Sequence, residues 1–126
     1  MYELTAPQKA TETYWGSIQT LVDTPEYSAK RIWMRAGCQS SLEYHVHKKE
    51  TYLIEEGLLI VGLRERRAIN TEVALKIGDV FTIFPGQMHM RIAVTDVQIL
   101  EVSTHDEACD TYFVEDGKTY KHKGDK

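Results

Sequence analysis

The stretch Gly37-Cys38-Gln39-Ser40-Ser41-Leu42-Glu43-Tyr44-His45-Val46-His47-Lys48-Lys49-Glu50, continued through Thr51-Tyr52-Leu53-Ile54 to Glu55-Glu56-Gly57, decides how the chain is read. Ser41 to His47 alternates as a strand does, and Glu50 to Ile54 follows as a second strand leading into a turn. Alternate residues on a strand share a face, so Glu43, His45 and His47 project together. Glu50, just past Lys48-Lys49, swings into the same space at a bend.

Outward from this stretch the chain continues as short strands broken by turn residues. Leu58 to Leu63 is an apolar run suited to a buried strand, and Arg64 to Arg67 reads as a charged hairpin tip. Ala68 to Leu75, Val80 to Phe84, Met88 to Val94 and Val97 to Val102 follow, parted by Ile77-Gly78-Asp79, Pro85-Gly86 and Thr95-Asp96. Towards the N-terminus, Ile18-Leu21-Val22 and Tyr27 to Arg35 are two more strands, and Thr5 to Thr13 reads as one short amphipathic helical turn. Strands spaced by about ten residues predict an all-β sandwich or barrel rather than a βαβ fold. Gly57 and Gly86 end strand patterns at sharp reversals, so both are expected at positive φ. Beyond Thr104 hydrophobicity falls. Tyr112-Phe113-Val114 is expected to dock on the body, and Lys118 to Lys126 reads as a solvated tail. The reading therefore divides the chain into an N-terminal segment (1–13), a barrel (14–104) and a C-terminal extension (105–126).

The chain has 126 residues, enough for one domain, with 42% hydrophobic and 27% charged residues, a globular balance. Fifteen Lys and Arg against nineteen Asp and Glu give a net charge of −4, which argues against a nucleic-acid binder. Two cysteines, Cys38 and Cys109, are too few for a disulfide scaffold. The first ten residues carry no apolar signal-like core, and the longest apolar stretch is far short of the roughly 20 residues a membrane helix needs. A cytoplasmic protein with neither nucleic-acid nor membrane partners is expected.

His89 follows the Pro85-Gly86 turn and supplies a third imidazole from a distant segment. Any one of these histidines alone reads as a surface or hydrogen-bonded core residue. Together, imidazoles and a carboxylate make a divalent transition-metal site with open positions. Glu43 faces the interior, where an unpaired carboxylate is costly. It is therefore a further ligand, an acid/base, or the partner of an interior cation such as Lys30 or Arg91. Alternation aims Lys48 away from the metal, and a solvated loop is the simplest account of Lys48-Lys49. His105 lies past the last strand, and Cys38 is read as structural.

Gly37 through Gly57 resembles the first cupin motif, and Gly78-Asp79-Val80-Phe81-Thr82-Ile83-Phe84-Pro85-Gly86-Gln87-Met88-His89 resembles the second. Only two residues separate His47 from Glu50, where many cupins have three or four, and Ala93 stands where the second motif usually has Asn. The resemblance implies a double-stranded β-helix, or jelly roll, with a divalent ion (Zn, Mn, Fe or Ni) held inside by His45, His47, Glu50 and His89. Trp15-Gly16, Lys30-Arg31-Ile32, Gly37, Ser41-Leu42, His45-x-His47-x-x-Glu50 and Glu101-Val102 further resemble the cupin domain of mannose-6-phosphate isomerases of the kind fused to mannose-1-phosphate guanylyltransferase. Glu43 replaces the Gln of that family and Lys48 its Arg, and the family's acidic segment ending in Arg is absent from Asp110 to Glu115.

That likeness implies an aldose–ketose isomerase acting on a sugar or sugar phosphate. The metal polarises the C1 and C2 oxygens, and Glu43 shuttles a proton, with Lys48 and Tyr52 in the catalytic neighbourhood and His105 behind them. Lys30, Arg31 and Arg91, with Lys48, are expected to hold the phosphate. A sugar-binding or regulatory cupin without turnover, and a metal-dependent dioxygenase or lyase, are the alternatives. A homodimer joined through edge strands is expected.

Overall fold

The computed structural model describes residues 1–66 and 69–117, except for the side chains of Arg66 and Ile69. The expected tail, Lys118 to Lys126, lies outside the described residues. Among the described residues there are eleven strands: β1 (Thr11–Glu12), β2 (Gly16–Asp23), β3 (Ser28–Met34), β4 (Leu42–His45), β5 (Glu50–Glu56), β6 (Leu59–Arg66), β7 (Ile69–Leu75), β8 (Val80–Ile83), β9 (Met88–Ala93), β10 (Val97–Ser103) and β11 (Thr111–Glu115). They form two antiparallel sheets, one ordered β1-β2-β3-β10-β5-β8 and the other β11-β4-β9-β6-β7. Two packed antiparallel sheets fit the all-β sandwich or barrel that the strand pattern predicts, and the jelly roll that the cupin resemblance implies.

Two local readings are corrected and a third holds. Thr5 to Thr13 is not helical; its end is β1, which pairs with β2 through Thr11 and Ile18. Arg64 to Arg66 continue β6 instead of forming the hairpin tip, with Arg64 opposite Asn70 on β7. Tyr112-Phe113-Val114 does join the body, as part of β11, whose Tyr112 stacks on Tyr44 of β4 at 5.2 Å. No described helix is long and apolar enough to cross a membrane.

Alternation places Glu50, Tyr52 and Ile54 of β5 inward, together with Val97, Ile99 and Glu101 of β10. Ile99 pairs with Ile54 and Glu101 with Tyr52, so the inner face changes in step from apolar to charged. β9 does the same from Ala93 to Arg91 and His89. The apolar end holds Ile32, Met34, Ile54, Leu59, Val61, Val97 and Ile99. Each such aliphatic contributes roughly 1.5–3 kcal/mol on burial. That closed end frees the other to carry charges that would not be stable alone.

Gly57 and Gly86 adopt φ of +83° and +86°. At Gly57 a Cβ would also lie 2.0 Å from the Asp96 carbonyl oxygen, so the turn into β6 has room for no side chain.

Candidate functional site

β4 stops at His45, whose carbonyl accepts the Gly86 N–H at 2.6 Å. Beyond it the strand does not continue. The Asp110 carboxylate accepts the N–H groups of Val46 (2.9 Å), His47 (3.1 Å) and Lys48 (2.9 Å), curling the chain around itself. Burial pushes the Asp110 carboxyl up, but these N–H donors outweigh it and hold it below the ordinary carboxylate range. The curl sends His47 outward and exposed, and turns Lys48 inward to 6% exposure. Lys48 is thus not in a solvated loop, because period-two alternation ends with the strand.

His45 and His89 are buried, with ring centroids 5.3 Å apart. The residue sharing their space two positions before His45 is Glu43, the β-ladder partner of His89. Glu43, His45 and His89 bring one donor atom each to within 4.8 Å of one another. Glu50 joins them: its Oε1 lies 2.7 Å from His89 Nε2 and 3.7 Å from His45 Nε2. The sequence-expected residues His45, Glu50 and His89 are therefore together, and His47 is apart from them. Counted from His45, four residues precede Glu50, a spacing within the family's three or four.

The imidazoles are oriented from behind. His89 Nδ1 lies 2.8 Å from the Gln87 carbonyl and His45 Nδ1 lies 3.3 Å from that of Asp110. A carbonyl only accepts, so each Nδ1 carries a hydrogen and each Nε2 points inward. Both Nε2 atoms are buried; that of His45 has no hydrogen-bond partner, and that of His89 meets Glu50 Oε1 at 2.7 Å, a contact that favours a proton on His89. Two such nitrogens beside two carboxylates are a donor set for a divalent ion. Burial, then Lys48, push the His45 pKa down; at His89 burial also lowers it, but Glu50 outweighs this and raises it. Burial would raise Glu50, yet the His89 contact holds it well below the carboxylate range.

Glu101, fully enclosed, is pushed up to about 8 by burial and by Glu50, so at neutral pH it is mostly protonated and donates to Glu50. Sequence reading gave it no role, although its inward phase on β10 was available as a signal. Tyr52, also fully buried, donates to Glu50 Oε1 at 3.3 Å and accepts from Arg91 Nη1 at 3.2 Å. Burial raises its pKa well above the usual phenol value.

The set opens into a cavity of about 480 Å³ lined by Trp15, Lys30, Glu43, Lys48, Arg91 and Asp106 among others. Asp106 bridges the two lysines, accepting from Lys30 and, at 3.2 Å, from Lys48. Lys48 Nζ also lies 3.4 Å from Glu50. Arg31 pairs instead with Glu55 at 3.1 Å and does not line the cavity. His105 sits with His47 in a separate groove of about 270 Å³, its Nδ1 2.8 Å from the Thr24 carbonyl. Asp106 and Asp110 had no local signal, since their partners lie some 60 residues earlier.

No protein-family model matches the sequence, and no curated protein matches it. Solved structures do match. CapF from Staphylococcus aureus, a capsular polysaccharide assembling protein, superposes with a TM-score of 0.76 at 20% identity over 85% of this chain and 31% of that one. An RmlC-like cupin from Shewanella frigidimarina gives 0.69 at 19% identity over 80% and 86%. A variant of Bacillus subtilis oxalate decarboxylase gives 0.76 at 12% identity over 90% and 33%. This chain thus spans about a third of the length of CapF and of the decarboxylase. The two antiparallel sheets and these likenesses together show that the chain has the cupin jelly-roll fold.

Proposed function

We propose that the chain is a divalent-metal cupin that acts on a sugar or sugar phosphate as an aldose–ketose isomerase, with mannose 6-phosphate the first substrate to test. The observation that carries this reading is the buried cluster of His45, His89, Glu43 and Glu50, of which Glu43 and His45 line an open cavity that also carries basic side chains.

In this reading His45, His89 and Glu50 hold the ion, which when bound polarises the oxygens at C1 and C2. Glu43, at 18% exposure the least enclosed of the four, faces the cavity. It takes the C2 proton and returns it to C1. The C2 hydrogen goes to C1 and the O2 hydroxyl proton to O1, so C2 is oxidised as C1 is reduced and no outside oxidant is needed. Tyr52 is too deep for this role, because it is fully buried and does not line the cavity.

One observation favours a second reading, binding without turnover: Lys30 and Lys48 are already ion-paired, both with Asp106 and Lys48 also with Glu50, which weakens their hold on a phosphate. Incubating the metal-loaded protein with mannose 6-phosphate in deuterated water separates the two. Deuterium at C2, or fructose 6-phosphate, supports the isomerase. Saturable binding with neither outcome, across several sugars and metals, overturns it in favour of the binding protein.

A further inference from the structure

Arg91 is buried at 7% exposure and lines the cavity, yet no carboxylate oxygen lies within 4.0 Å of it among the described residues. Its Nη1 donates to Tyr52, and its Nε has no partner. The guanidinium lies against the Trp15 ring at 5.1 Å and the Tyr52 ring at 6.0 Å. Aromatic faces offset part of the cost of burying a cation, and the Glu43 and Glu101 carboxyls favour its charge from beyond ion-pair range, so the guanidinium stays charged without a direct carboxylate partner. The nearby lysines are in the opposite state, since Asp106 bridges both.

From this contrast we infer that Arg91 is the anchor for the anionic end of the cavity's ligand, a carboxylate or phosphate held by the planar fork over Trp15. The inference rests on the reading of this cavity as a ligand site and names the group that recognises the charge. Arg91 stands two residues from His89 on β9, so the anion would lie beside the donor set and not within it. A planar guanidinium suits a two-oxygen contact with either anion. The binding needs no metal, which separates it from the isomerase reading.

The test titrates metal-free and metal-loaded protein with inorganic phosphate, glucuronate and neutral mannose, following tryptophan fluorescence in a Trp33→Phe background so that Trp15 alone reports. Saturable binding of an anion, absent for mannose at the same concentrations, is expected with and without metal. Arg91→Gln should weaken it by about tenfold or more, the loss of one charge-assisted contact, and Arg91→Lys should recover part. The phosphate and glucuronate arms decide which anion fits. Phosphate should raise the Tm of the parent and not of the variant. If Arg91→Gln does not fold, Arg91→Lys carries the comparison through its weaker affinity at equal Tm. The inference is overturned if neither anion saturates, or if affinity falls with Lys30→Met and not with the Arg91 variants. Failure of deuterium exchange with anion binding intact would sink only the isomerase.

Discussion

Glu43 and His89 are direct partners across the β4–β9 ladder. That pairing sets a carboxylate beside the two imidazoles, and Glu50 completes the cluster from β5. His47, two residues beyond His45, is carried to the opposite side of the loop and exposed.

The first prediction separates these histidines. His45→Ala and His89→Ala should each weaken a divalent ion by more than the 10–100-fold typical of losing a group behind the ligands. His47→Ala should leave affinity within about twofold. Metal content by elemental analysis, on untagged protein, reads both. Equal losses at His45 and His47 would contradict the arrangement.

Asp110 is the hinge of the site although it touches no cavity centre. Removing three N–H acceptors at once in Asp110→Ala should cost about 2 kcal/mol and release the curl that turns Lys48 inward. The chain then regains freedom to extend β4, so metal affinity should fall while His47 approaches the cavity. Urea melts and metal titration measure the two effects; unchanged values in both would refute the hinge.

Gly57→Ala and Gly86→Ala share a positive φ but differ in space. Non-Gly residues pay roughly 1–2 kcal/mol in that conformation. Gly86 has open surroundings, so its variant should lose only that amount. Gly57 adds a Cβ 2.0 Å from the Asp96 oxygen, so its variant should lose clearly more, about 3 kcal/mol or above. Equal destabilisation in denaturant would show that the turn into β6 can shift.

Asp106 supplies the pH prediction. Burial raises its carboxyl, but Lys30 and Lys48 outweigh this and hold it below the ordinary value. A group depressed in the folded state contributes stability above its unfolded pKa, about 3.9, and loses it as pH falls through the folded value. Asp106→Asn should therefore destabilise the protein at pH 7 and flatten the acid limb of a Tm-against-pH profile. The same change frees both lysines and should tighten inorganic phosphate binding. A parallel downward shift at every pH would argue that the bridge contributes packing alone.

Alternating side chains and turn residues between Ile18 and Val102 determined the all-β class, the strand order in the chain and the positive φ of Gly57 and Gly86, because period two and a φ preference are local properties. The presence of a His/Glu cluster was legible for the same reason. Which histidine enters it was not. Alternation tells that residues two apart share a face only while a strand lasts, and β4 ends at His45 because Asp110, about 65 residues later, captures the next three N–H groups. The inward turn of Lys48, its bridge to Lys30 through Asp106, and the burial of Arg91 without a direct ion pair also depend on segments meeting in space. Charge pairing at a buried site is decided by which groups the tertiary fold brings within a few ångströms, and sequence neighbours carry no record of that distance.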